Sequence, residues 1–237
     1  MSETAATISR KVQALADPVQ AGQLQRFFKT GPGEYGEGDL FLGIRVPVLR
    51  ALARSLGDTP LDELVRLLAS AFHEERMLAL LMLVHRFGLA KDEVEQEQIY
   101  HLYLANSRFI NNWDLVDLSA PQIVGGFLYG RDRTPLYRLI GSVSLWERRI
   151  AVVATAHFIR KGEVQETLAL GERVLDDPEE LIHKATGWML REVGKQSQPA
   201  LEEFLLQHYR RMPRVMLRYA IERFPEPLRQ RYLKGQA

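Results

Sequence analysis

Along almost the whole chain, apolar residues return every three or four positions, and the every-other-residue alternation of a half-buried strand is never sustained. That period fits helices and little else, so it predicts an all-α protein. Asp17-Pro18, Thr59-Pro60 and Asp177-Pro178 each set a capping residue before a proline, which suits a helix start because the first helical N–H has no partner to lose. Further boundaries fall at Val46-Pro47, Asp92, Asn111, Pro121, Pro135, Ser144, Ser197, Met212-Pro213 and Glu226-Pro227.

The helices repeat. "ERMLALLMLVHRF" (75–87), "ERRIAVVATAHFI" (147–159), "IHKATGWMLREVG" (182–194) and "RVMLRYAIERF" (214–224) share a polar start and an apolar stripe of small and large residues. Ala79 and Ala151 stand 72 residues apart, and Arg149 and Lys184 stand 35 apart. A period near 35 to 45 residues is that of HEAT-like helical pairs, each burying its apolar face only against its neighbours. The expectation is an α-solenoid of HEAT-like repeats over 1–237, a curved single domain with a basic concave face.

Composition narrows the function. At 237 residues with 46% hydrophobic and 26% charged, the chain has enough apolar surface to form a core of its own. It has no cysteine, which excludes disulfides and thiolate metal sites and suits a reducing cytoplasm. The first 17 residues lack the basic start and apolar run of a signal peptide, and no apolar run approaches the ~20 residues of a membrane span. Net charge is +1, so any polyanion surface must come from local clustering. Such a cluster exists: from Arg210 onward eight cations face only Glu222 and Glu226.

Two motif readings fail. "HEERM" (73–77) begins like a zinc helix but has Met77 where the second histidine belongs. Gly31, Gly33 and Gly36 have the spacing of a dinucleotide loop, yet a helical pattern precedes them and an acidic loop follows, so residues 29–47 read as a long inter-helix loop. No nucleophile elbow or phosphate-binding lysine loop is present.

What remains are indoles, acids and bases at equivalent places in the repeats. In "NNWDLVD" (111–117), Asn112 can cap, and Trp113 and Asp117 share a face at i and i+4. "SLWERRIAVV" carries Arg148 and Arg149 on adjacent faces, and "HKATGWMLREVGK" aligns Lys184, Trp188 and Arg191. Gly187 in that helix lowers its propensity by about 1 kcal/mol against Ala, which implies a close approach by a ligand or a neighbouring helix. Stacked repeats would bring these residues to one cleft of two indoles, one carboxylate and several cations. That combination suits a polyanion carrying a cationic centre.

At "FLGIRVP" (41–47), "NNWDLVD" (111–117), "WERRIAVV" (146–153) and "KATGWMLREVGK" (184–195), the sequence resembles the AlkD family of HEAT-repeat DNA glycosylases, which excise alkylated purines. The resemblance covers nearly the whole chain. It implies Trp113 and Trp188 as cleft tryptophans, Asp117 as the catalytic aspartate and Arg149 as the cleft arginine. Arg148, Lys184, Arg191, Lys195 and Arg214 are then the expected phosphate contacts. The implied protein is a monofunctional, cytoplasmic, monomeric glycosylase acting on double-stranded DNA with N3- or N7-alkylated purines, without metal or cofactor and without extruding the base into a pocket. The glycine-rich stretch 31–38 is absent from the smallest pattern of the family. A non-catalytic HEAT scaffold is the competing reading, from which the role of Asp117 discriminates the enzyme; a third reading keeps the fold and DNA binding but changes the lesion to bulky adducts or a branched DNA structure.

Overall fold

The structure is a computed structural model that describes residues 3–237. It is all-helical: among the described residues the only β pairing is an isolated bridge between Leu40 and Phe72. The chain divides into two compact units, up to Ser119 and from Ala120 onward.

The first unit contains α1 (Ala5–Gln13), α2 (Pro18–Phe27), α3 (Val46–Ser55), α4 (Leu61–Leu68), α5 (His73–Leu89), α6 (Glu93–Ala105) and α7 (Trp113–Ala120), whose last residue crosses the division. Helix α5 is its centre. Leu78, Leu80 and Leu83 are fully buried on different sides of it, as expected of a helix packed all round, and α3 and α4 both lie against it. The helix starts follow the sequence signals with one refinement. Asp17 caps α2 directly, its carboxylate accepting from the N–H groups of Val19 and Gln20. Thr59 instead donates its hydroxyl to the Leu56 carbonyl and closes the preceding turn, leaving α4 to begin after Pro60.

The second unit opens with a π-helical turn, Pro121–Gly125, and continues through α8 (Gly126–Leu128), α9 (Thr134–Ile140), α10 (Leu145–Ala154), α11 (Ala156–Arg160), α12 (Gln165–Arg173), α13 (Glu180–Gln196), α14 (Gln198–His208), α15 (Arg214–Ala220) and α16 (Glu226–Leu233). Helix α10 packs on α13, and α13 on α15. These are three of the repeated segments, stacked in succession. Gly187 explains its own presence: a Cβ there would stand 2.5 Å from the Met216 carbonyl oxygen and 2.6 Å from Tyr219 Cβ. The close approach comes from α15.

Asp177-Pro178 marks a boundary for a different reason than capping. The helix starts at Glu180 with Glu179 at its cap, and the Asp177 carboxylate accepts from the Glu179 N–H at 2.9 Å while pairing with Arg148.

Candidate active site

Helix α7 begins at Asn112, which is fully buried. Its side-chain oxygen accepts from the Trp113 N–H at 2.8 Å and its carbonyl from Val116 at 3.2 Å, so it occupies the cap. Trp113 and Asp117 follow one turn apart on one face, both half-buried. The carboxylate of Asp117 is therefore not sealed in the core. Beneath it, burial above all, and then the Asp117 charge, push the Tyr103 phenol far up against the opposing Ser119 hydrogen bond, so Tyr103 stays neutral.

Trp113 is held from three sides. Its ring stacks on Phe28 at 5.2 Å between centroids, meets the edge of Phe27 at 6.0 Å, and donates its Nε1–H to the Tyr35 hydroxyl at 3.3 Å. Phe28 in turn stacks on Phe41 at 5.0 Å, and Phe41 on the His73 ring at 4.5 Å. Each such ring pair contributes roughly 0.5–1.5 kcal/mol beyond the area it buries.

His73 closes the circuit. It is 2% exposed, with Nε2 2.9 Å from Asp114 Oδ2 and Nδ1 3.2 Å from Asp39 Oδ2, while Asp39 also pairs with Arg76 at 2.7 Å. Burial would pull the His73 imidazolium down, but the hydrogen bonds to Asp114 and Asp39 outweigh it and hold its pKa above the ordinary value. Burial likewise pushes the Asp39 carboxyl up, and the His73 hydrogen bond with the Arg76 charge overcomes it, leaving Asp39 below the usual range. The next acid, Glu74, accepts three backbone N–H groups, from Leu42, Gly43 and Ile44. Gly43 has φ +86°, and a Cβ there would lie 2.1 Å from the Asp17 carbonyl oxygen, so this close passage admits only glycine.

The glycine-rich loop is thus part of the site's frame. It supplies Tyr35 to Trp113, Asp39 to His73 and Phe41 to the ring stack, and at Gly36 it runs against the Phe28 carbonyl, where a Cβ would stand at 2.5 Å. Sequence reasoning missed His73, Asp39 and Tyr35. The available signal was the run His73-Glu74-Glu75-Arg76 opening an otherwise apolar helix, since four polar groups buried together require four sets of partners.

In the second unit, Arg149 is buried in α10 and donates to the Leu181 carbonyl of α13 at 2.7 Å, two turns before the half-buried Trp188. Arg191 pairs with Glu222, just past the end of α15, and with Glu192, Lys184 pairs with Glu180, and Lys195 with Glu192. Arg214 is exposed and donates to the Leu233 carbonyl at 2.7 Å. Arg148 stands apart from these surface cations. It grips Asp177 through Nε at 2.7 Å and Nη2 at 3.1 Å, and its Nη1 donates to the carbonyls of Ser142 and Val143. With those donors engaged, it ties α10 to the start of α13 instead of offering a fork to phosphate.

A model of the DNA alkylation repair enzyme family matches residues 8–224. This chain belongs to that family. Among solved structures, a predicted DNA alkylation repair enzyme from Enterococcus faecalis is similar in fold, with a TM-score of 0.68 at 18% identity over 89% of this chain and 97% of its own. No curated protein matches in sequence. As a DNA alkylation repair enzyme, the chain has a role in repair of alkylated DNA, and DNA is its partner. No helix among the described residues is long and apolar enough to cross a membrane.

Proposed function

We propose that this DNA alkylation repair enzyme is a monofunctional glycosylase that hydrolyses the N-glycosidic bond of N3- or N7-alkylated purines in duplex DNA and leaves an abasic site. The observation that carries the reading is Asp117, a half-buried carboxylate one turn from the half-buried indole of Trp113 on α7.

The chemistry follows from charge. Alkylation at N3 or N7 makes the base cationic, so it departs with the electron pair of its C1′–N bond and needs little help from an acid. The deoxyribose left behind is oxocarbenium-like, and a carboxylate beside it stabilises that charge, orients the water whose oxygen bonds to C1′, and takes up the water's proton. Asp117 has this role. Trp113 borders the lesion nucleotide and excludes water, its contact with cationic charge being worth roughly 0.5–2 kcal/mol, and Trp188 of the second unit is assigned a contact with the DNA. Arg149 steadies the second unit through its bond to Leu181, and Lys184, Arg191, Lys195 and Arg214 hold phosphates.

The test is incubation with DNA containing 7-methylguanine, followed by mass analysis of free bases. Asp117→Asn is expected to lower release by roughly 10²–10³-fold while DNA binding persists. Release at the wild-type rate by that variant removes Asp117 from the mechanism. No release by the wild type leaves a binding protein, for which the carboxylate would be dispensable.

A further inference from the structure

The first turn of α7 carries Trp113, and Asp117 follows one turn on, so the placement of that turn decides where the indole and the carboxylate point. Two groups from elsewhere in the first unit hold it. Asp39, in the glycine-rich loop, accepts from the side-chain amides of Asn111 at 3.4 Å and of the cap Asn112 at 3.5 Å. His73, at the start of α5, has Nε2 2.9 Å from Asp114 Oδ2 and Nδ1 3.2 Å from Asp39 Oδ2. The imidazole thus joins the two acids through which α7 is tied.

A neutral imidazole has one N–H and one lone pair, whereas a carboxylate only accepts. Both ring nitrogens of His73 face carboxylate oxygens, so the neutral ring satisfies one contact and turns a lone pair on the other. Only the cation makes both. The ring is 2% exposed, and at that depth water does not replace a lost partner.

We propose that His73 positions the candidate active site: by donating from both ring nitrogens, to Asp39 and to Asp114, it fixes the first turn of α7 and through it Trp113 and Asp117. The consequence for catalysis rests on the glycosylase reading; the lock itself does not.

The charges around the ring decide its proton. Asp39 faces it from the loop and Asp114 from α7, while Arg76, on its own helix, opposes its charge. Arg45, at the cap of α3, lines the same cavity as the ring and is hydrogen-bonded to Gln20. Glu74 is occupied by the N–H groups of residues 42–44, and Phe28 and Phe41 add uncharged rings. The bonds to the two acids outweigh burial and Arg76, and keep the pKa of His73 above 6.5. Below that folded value both contacts are made. As pH rises through it, one is lost, and the first turn of α7 loosens. A ring that only filled space would act alike with and without its proton.

The experiment compares wild type with His73→Gln, both folded by circular dichroism, in single-turnover release of base from 7-methylguanine DNA across pH, with DNA affinity measured in parallel. On the acid side of the His73 midpoint the wild type should be faster by roughly 10–100-fold, with equal affinities. The ratio of the two rates should fall toward one as pH rises through that midpoint, and taking a ratio cancels any titration of the lesion itself. Asp39→Asn gives the neutral Nδ1 an amide donor, so its rate should gain on the wild type over the same rise. A ratio near one throughout, or one that is large and flat, overturns the proposal. Should His73→Gln not fold, NMR of nitrogen-labelled wild type decides: both ring nitrogens of His73 should be protonated below the midpoint, and the Trp113 indole signal should move with it. An indole signal indifferent to that titration overturns the proposal as well. An indole that follows His73 in a protein releasing no base keeps the lock and discards the glycosylase; base release insensitive to His73 does the reverse.

Discussion

His73 Nε2 lies 2.9 Å from Asp114 Oδ2, joining the first turn of α5 to the first turn of α7. The same ring reaches Asp39, which Arg76 also pairs, so one imidazole sits between two carboxylates with a guanidinium behind them. Because the folded-state pKa of His73 is raised above 6.5, the stability it contributes is fully present below the unfolded value and is lost as pH rises through the folded one. Asp39 has the opposite sign: its depressed pKa contributes stability above 3.8 that is lost as pH falls through the folded value. The melting temperature should thus decline on the alkaline side of the histidine range, and His73→Gln should flatten that limb. An alkaline limb of unchanged slope in the variant would show that His73 is not its source.

Tyr35 connects the glycine-rich loop to the indole of Trp113. Tyr35→Phe keeps the ring and removes the acceptor, which should cost about 0.5–1.5 kcal/mol by urea unfolding. If the bond orients the indole for catalysis, base release falls as well, and the drop appears in single-turnover rates and not in DNA affinity.

Two glycines in helices should respond oppositely to alanine. Gly187→Ala places a methyl against the Met216 carbonyl of α15 and should destabilise by about 1–3 kcal/mol, despite alanine's better helix propensity. Gly88→Ala, in the last turn of α5 with nothing within 4 Å of the added carbon, should stabilise by up to about 1 kcal/mol. Chemical denaturation of both variants measures the contrast.

Arg148 and the surface cations should also separate. Lys184 and Lys195 pair with acids on exposed faces, where ion pairs are worth about 0–1 kcal/mol and exchange readily for phosphate. Replacing each by Ala should lower the slope of log K against log salt by about 0.9. Arg148→Met breaks a pair with both side chains largely buried and should cost about 3–5 kcal/mol of stability with the salt slope unchanged. Affinity titrations at several salt concentrations, with a parallel denaturation series, decide between the two roles.

Much of the helical framework was legible because its signals are local. The starts at Pro18, Glu93 and Leu145 each follow a side chain that caps within three residues. Trp113 and Asp117 share a face because four residues complete about one turn. The stacking of α10, α13 and α15 follows from a repeated stripe that can be buried only against its own kind.

The glycine-rich loop and the "HEER" run were opaque for the converse reason. A buried polar residue acquires its meaning from its partner, and Asp39 finds His73 34 positions away while His73 finds Asp114 41 positions away. Arg148 and Arg149 are indistinguishable as sequence neighbours, yet α10 turns one to Asp177 and the other to Leu181. Periodicity and capping thus determined, from the sequence by itself, that the chain is helical and where its repeated helices run. Which charges are spent inside the protein, and which loop braces Trp113, was decided only by tertiary structure, because desolvation and hydrogen-bond geometry act between atoms that the chain order keeps apart.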